Sequence, residues 1–261
     1  MPPSRVPVIA VHGFMYDPAD KGGANDPAGF FQEMSGIVGQ PVIPFAWYSV
    51  PFGLRITRPF RSTWQTARAW AGSWAQGFLD PYKYAWTRAL AEGDRLRQVI
   101  TAHDGPVDLV AHSLGVRVAL DAMWGLKPGK VRRVIFFNGA ELAENADALA
   151  SLLPADVQVL NFAISTDRVL EWLGAIFNGQ DIAPCIGRVG LPTPQPNWHD
   201  LFLDRPAVAK AAMARYGWTI RAYNPADLLG HGESYHFAGN SDLVRAWLAG
   251  DTLSDLTAIR A

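Results

Sequence analysis

The residues best placed to do chemistry lie in Val107-Asp-Leu-Val-Ala-His-Ser-Leu-Gly-Val116. An apolar run suited to a buried strand ends in Ala111-His112-Ser113-Leu114-Gly115, and a helix-forming segment follows at once. A serine on so sharp a strand-to-helix turn holds its hydroxyl clear of the sheet, as a nucleophile requires. The turn needs small residues two positions before and two after the serine, because both press on neighbouring backbone. Ala111 and Gly115 meet that need, with alanine where glycine is usual. The helix that starts behind the serine points its positive end at negative charge developing on a substrate. A serine here could also serve only as a helix N-cap; the strand before it and the helix after it favour the nucleophile.

A serine hydroxyl is a weak nucleophile at neutral pH and needs a base, most often a histidine oriented by a carboxylate. Two acids follow Ser113 closely after apolar runs: Glu141, in Asn138-Gly-Ala-Glu141, and Asp167, in Ile164-Ser-Thr-Asp-Arg168. A carboxylate directly after a strand sits at the C-terminal edge of the sheet, where ligand sites of open α/β folds form. Asp167 could at the same time cap the helical segment through Val169, Leu170 and Trp172. The histidines beyond both acids are His199, His231 and His236. There is no His-Glu-x-x-His or paired-cysteine pattern, and Cys185 stands alone, so no catalytic metal and no disulfide within the chain are expected. No glycine-rich phosphate loop follows a strand, so no cofactor is expected either.

The elements that must position these groups show as short, nearly continuous apolar runs. They are Val6–Val11, Val42–Trp47, Val107–Ala111, Val131–Phe137, Val157–Ile164 and Trp218–Tyr223. Runs of this kind suit strands covered on both faces in a parallel sheet. Helices are expected over Tyr84–Thr101, over Val116–Trp124 with Arg117 and Asp121 paired on its exposed side, and over Leu243–Leu248 with Asn240 or Ser241 as cap. The alternation predicts one α/β domain over residues 1–261, with a mostly parallel sheet of about six strands and helices on both faces. Residues 51–82 do not fit the rhythm. Trp64, Ala67, Ala71, Trp74 and Phe78 fall at helical spacing there, and Trp47, Trp64, Trp70, Trp74 and Trp86 are half of the 10 tryptophans. The segment reads either as a core helix or as a cap whose apolar face, with Trp47, Trp64, Trp74 and Phe78, lines a substrate pocket.

Composition narrows the partners. The 261 residues are 49% hydrophobic and 18% charged, too apolar for a disordered or coiled-coil chain. Basic and acidic residues number 23 and 24, a net charge of −1 that offers no general attraction to nucleic acid. No apolar run reaches the ~18 residues needed to span a bilayer. The first residues run straight into a strand-like segment without a secretion signal, which makes a cytoplasmic location the expectation.

The turn around Ser113, taken with Val11-His12-Gly13-Phe14-Met15 after the first strand, resembles the α/β-hydrolase fold family, and within it the compact lipases and esterases. The resemblance implies an oxyanion hole made by the backbone N–H groups of Phe14 and Leu114, with His12 bracing its loop. It also implies the chain order serine, acid, histidine, with Asp167 as the acid and Glu141 as its rival. The base belongs between the last strand and the last helix, so it is His231 or His236; His236, next to the closing helix, fits better. The implied activity is cleavage of a small-molecule carboxylic ester, lipid-like in its acyl or alcohol group, through an acyl-enzyme. A thioesterase, an acyltransferase and a non-catalytic binding protein on the same scaffold are the alternatives.

Overall fold

The computed structural model describes residues 6–23, 25–51, 74–171, 184–222, 231, 234–235 and 237–259, with only the backbone of 74–79. Its centre is a sheet of six parallel strands in the order β2-β1-β3-β4-β5-β6. These are β1 (Val8–Val11), β2 (Val42–Phe45), β3 (Val107–His112), β4 (Val131–Phe137), β5 (Gln158–Ala163) and β6 (Trp198–Phe202). The helices are α1 (Ala28–Val38), α2 (Trp74–Ala102), α3 (Gly115–Met123), α4 (Ala143–Ala150), α5 (Ile186–Val189), α6 (Pro206–Tyr216), α7 (Ala238–Ala249) and α8 (Ser254–Thr257).

Side chains alternate along each strand, so one sheet feeds two apolar layers. Ile9, Val11, Leu109, Ala111, Val134 and Phe136 pack with α2, α3 and α4. Val8, Ala10, Val110, Ile135 and Phe137 pack with α1, α6 and α7 on the other side. Burial on both faces is why the central strands read as continuous apolar runs. The expected α/β architecture with a parallel sheet is therefore the observed one.

Three local expectations need correction. Among the described residues the last strand is Trp198–Phe202; residues 218–222 are irregular and Tyr223 lies outside the described residues. β6 carries His199 and Asp200 in its middle, and these broke the apolar run. Asp200 is satisfied in place by Asn161 Nδ2, Trp198 Nε1 and the Leu191 N–H, so a polar strand costs little. Asn240, expected as a helix cap, lies inside α7, whose N-cap position is Phe237. Arg117 does not face solvent beside Asp121. Because α2 covers α3, Arg117 is buried against the Trp86 ring at 4.1 Å and pairs with Glu141 at 2.7 Å. Asp121 meets Arg97 instead, at 3.6 Å.

The expected cap falls mostly outside the described residues: 52–73, with Trp64 and Trp70, are not among them. Trp74 and Phe78 belong to the start of α2, which runs unbroken to Ala102. Among the described residues, no helix is long and apolar enough to cross a membrane.

Candidate active site

Parallel pairing brings the ends of neighbouring strands level. Val11 lies opposite Ala111, and Ala111 opposite Phe136, so the segments that leave β1, β3 and β4 emerge side by side. At the end of β3, Ser113 adopts φ +54°, the left-handed region that a non-glycine residue enters at a cost. The turn is held by backbone bonds: Ser113 N–H donates to Phe137 O (2.9 Å), and Ser113 O accepts from Ala140 N–H (3.0 Å) and Val116 N–H (3.1 Å).

Two glycines let the segment after β1 press against this turn. A Cβ on Gly115 would lie 2.5 Å from His12 O, and a Cβ on Gly13 would lie 2.8 Å from Ser113 Cβ. Neither position can hold a side chain without moving backbone. Ala111 is fully buried, in the same apolar layer as residues of α2 and α3.

The His12 loop is rigid for identifiable reasons. The imidazole is fully buried, with Nδ1 2.9 Å from Gly13 O and Nε2 3.1 Å from Trp47 N. The Trp47 N–H must donate, so Nε2 accepts and the proton sits on Nδ1. Trp47 stacks on His12 with an interplanar angle of 4° and donates its indole N–H to His12 O. Trp47, expected as a pocket wall, is thus fully buried and braces this loop. Phe14 packs edge-on to Tyr82 at 5.2 Å.

Burial lowers the His12 pKa to about 3 from its ordinary 6.5, the Gly13 carbonyl offsetting only part of the effect. Between those values the unfolded chain binds a proton that the folded chain refuses, so stability falls as the pH drops through that window. The loss from this one group reaches roughly 5 kcal/mol. Urea midpoints measured at pH 7 and pH 4 will therefore separate more for the wild type than for His12→Asn, which has no such proton to take up.

Asp167, directly after β5, is fully buried and uses both carboxylate oxygens. Oδ1 accepts the Leu170 N–H at 3.0 Å, capping the helical turn that follows. Oδ2 accepts from Asn138 Nδ2 at 2.9 Å and lies 2.7 Å from His231 Nδ1. His231 Nε2 is 2.9 Å from Ser113 Oγ. An ionised carboxylate only accepts, so Nδ1 carries the proton and Nε2 is left to accept from the serine hydroxyl. Ser113, His231 and Asp167 therefore stand in one hydrogen-bonded line.

The histidine in that line is His231. His236, preferred from its place beside the last helix, lies outside the described residues. That preference took 218–223 as the last strand, whereas among the described residues the last strand is β6, and 217–222, after α6, are irregular. His199 is on β6, edge-on to Trp247. Glu141 is committed elsewhere: it holds Arg117 and accepts from Leu142 N–H and Asn145 Nδ2. Burial raises its carboxyl above the usual range in spite of Arg117. Burial also pushes the Cys185 thiol up to about 12, which leaves it inert. Among the described residues, no cluster of side chains could hold a metal ion.

A family model described as Serine hydrolase matches residues 61–168, a stretch that holds both Ser113 and Asp167. No curated protein matches the chain. This match and the parallel α/β sheet support a serine hydrolase of the α/β-hydrolase-like kind. The matched stretch ends one residue after Asp167, so the place of His231 rests on geometry. Three further residues at the site, Asn138, Ser234 and Asn240, were not marked as site residues by spacing, and Asn240 was read only as a helix cap. They matter because of what they touch across the fold.

Proposed function

We propose that this hydrolase cleaves carboxylic esters through a triad of Ser113, His231 and Asp167, in the manner of an esterase or lipase. The observation that carries the reading is the line of two hydrogen bonds, 2.9 Å from Ser113 Oγ to His231 Nε2 and 2.7 Å from His231 Nδ1 to Asp167 Oδ2. His231 Nε2 takes the hydroxyl proton as Oγ attacks the ester carbonyl, and Asp167 stabilises the imidazolium that forms. The same proton passes to the departing alcohol as the tetrahedral intermediate collapses to the acyl-enzyme. His231 then takes a proton from water, the resulting hydroxide attacks the acyl carbonyl, and the carboxylic acid leaves as Ser113 regains its proton.

The backbone N–H groups of Phe14 and Leu114 are the proposed oxyanion donors. Support comes from the two glycine contacts that lock the His12 loop on the turn, and from the N-cap place of Leu114 on α3. Phe14, Tyr82 and Trp86, in ring contact next to that loop, favour an apolar group on the substrate.

The test is hydrolysis of p-nitrophenyl esters from acetate to long acyl chains, before and after treatment with a fluorophosphonate probe. The expected result is turnover that peaks beyond acetate and is abolished by equimolar labelling at Ser113. Labelling without turnover of any ester would replace esters by thioesters as the substrate class. A probe that does not react with Ser113 would overturn the nucleophile itself.

A further inference from the structure

We propose that Asn138 is a positioning residue that ties the acid to the loop carrying the base. The inference rests on the triad reading above and adds the part that keeps His231 in place. Asn138 Nδ2 donates to Asp167 Oδ2, the oxygen that also faces His231 Nδ1, and Asn138 Oδ1 accepts the Ser234 hydroxyl at 2.6 Å. Ser234 lies three residues beyond His231 on the same loop. One amide thus holds the carboxylate with its nitrogen and the histidine loop with its oxygen.

The arrangement is built on fixed points. Asn138, Asp167, Ser234 and Asn240 are all fully buried. Asn138 has φ +47°, a left-handed conformation that asparagine tolerates better than most residues. Its N–H donates to Phe162 O at 3.2 Å. At the start of α5, a Cβ on Gly187 would come 2.4 Å from the Asn138 carbonyl carbon, so the backbone has no room to shift. On the other side, Asn240 Nδ2 donates to Ser234 O and to Arg221 O (2.6 Å), and Asn240 Oδ1 accepts the Arg221 N–H at 3.1 Å. The long connection that bears His231 is therefore clamped before and after the histidine, by one asparagine from α7 and one from the end of β4.

The physical need is plain. A base misplaced by about 1 Å loses on the order of 100-fold in rate. The Asn138 donor also fixes the direction of Oδ2, the oxygen that faces His231 Nδ1.

Asn138→Gly keeps the left-handed backbone accessible and removes only the amide; Ser234→Ala removes only the link to the loop. Both variants are expected to lower kcat on p-nitrophenyl esters by about 10- to 100-fold with KM within about threefold. The fluorophosphonate labelling rate, measured per folded molecule, is expected to fall with kcat. Variants that melt at a lower temperature but keep wild-type kcat and labelling rate would overturn the positioning role. A wild-type protein that the probe does not label would overturn the triad reading and this proposal with it. Full labelling of the wild type and of both variants at one rate would overturn this proposal alone.

Discussion

Replacing Ser113 or His231 by alanine lowers kcat/KM by about 10⁴-fold or more, while His236→Ala stays within about threefold of the wild type. The size follows from the proposed division of labour. Without Oγ there is no acyl-enzyme, and without Nε2 the hydroxyl keeps its proton at neutral pH. In either case, rate above the uncatalysed reaction then comes only from the oxyanion donors and substrate binding. Because the two side chains act as one unit, the double variant Ser113→Ala/His231→Ala loses about as much as either single one. Steady-state kinetics of the four proteins, with a circular dichroism spectrum of each to show that it folds, decide the matter. Loss in His236→Ala with activity retained in His231→Ala would hand the base to His236.

The second large effect is at the acid. Asp167→Asn is expected to cut kcat by about 10⁴-fold at neutral pH. An asparagine amide turned toward His231 donates to Nδ1, which forces the ring proton onto Nε2, where it points at Ser113 and blocks proton transfer. The substitution also sets a second amide against Asn138 Nδ2, the donor that Oδ2 now accepts. Glu141→Gln separates the two carboxylates. It leaves kcat per folded molecule within about threefold, since Glu141 touches Arg117 and not His231. It lowers stability instead, by about 3 kcal/mol, because Arg117 becomes a buried charge without a counter-ion. Urea unfolding read beside kcat shows both effects at once. A Glu141 variant that folds normally but has lost its activity would move the acid to the end of β4.

Both predictions set residues that could be found by spacing against residues that could not. The turn at Ser113 is a local device, made by a strand, two small residues and a helix within one short stretch, so its chemistry can be read along the chain. The same holds for the central strands, whose burial on both faces writes itself as apolar runs. β6 escaped because His199 and Asp200 interrupt its apolar run, and part of what satisfies Asp200 comes from Asn161, nearly forty residues earlier. The exposure of Arg117 was misjudged because amphipathic spacing describes one helix and says nothing of the helix laid over it.

The choice between His231 and His236 belongs to the same kind. The two are five residues apart on one connection, and no local rule separates them. What brings His231 to Ser113 is where the connection is pinned, by Asn240 at Arg221 and Ser234 and by Asn138 at Ser234. By itself the sequence determined the fold class, the tight strand-to-helix turn at Ser113, and the place of a carboxylate at the sheet edge, because each depends on neighbours in the chain. Only the tertiary structure decided which histidine meets them and what holds it there, because those bonds join residues from the ends of β4 and β5 and from α7 that are distant in sequence.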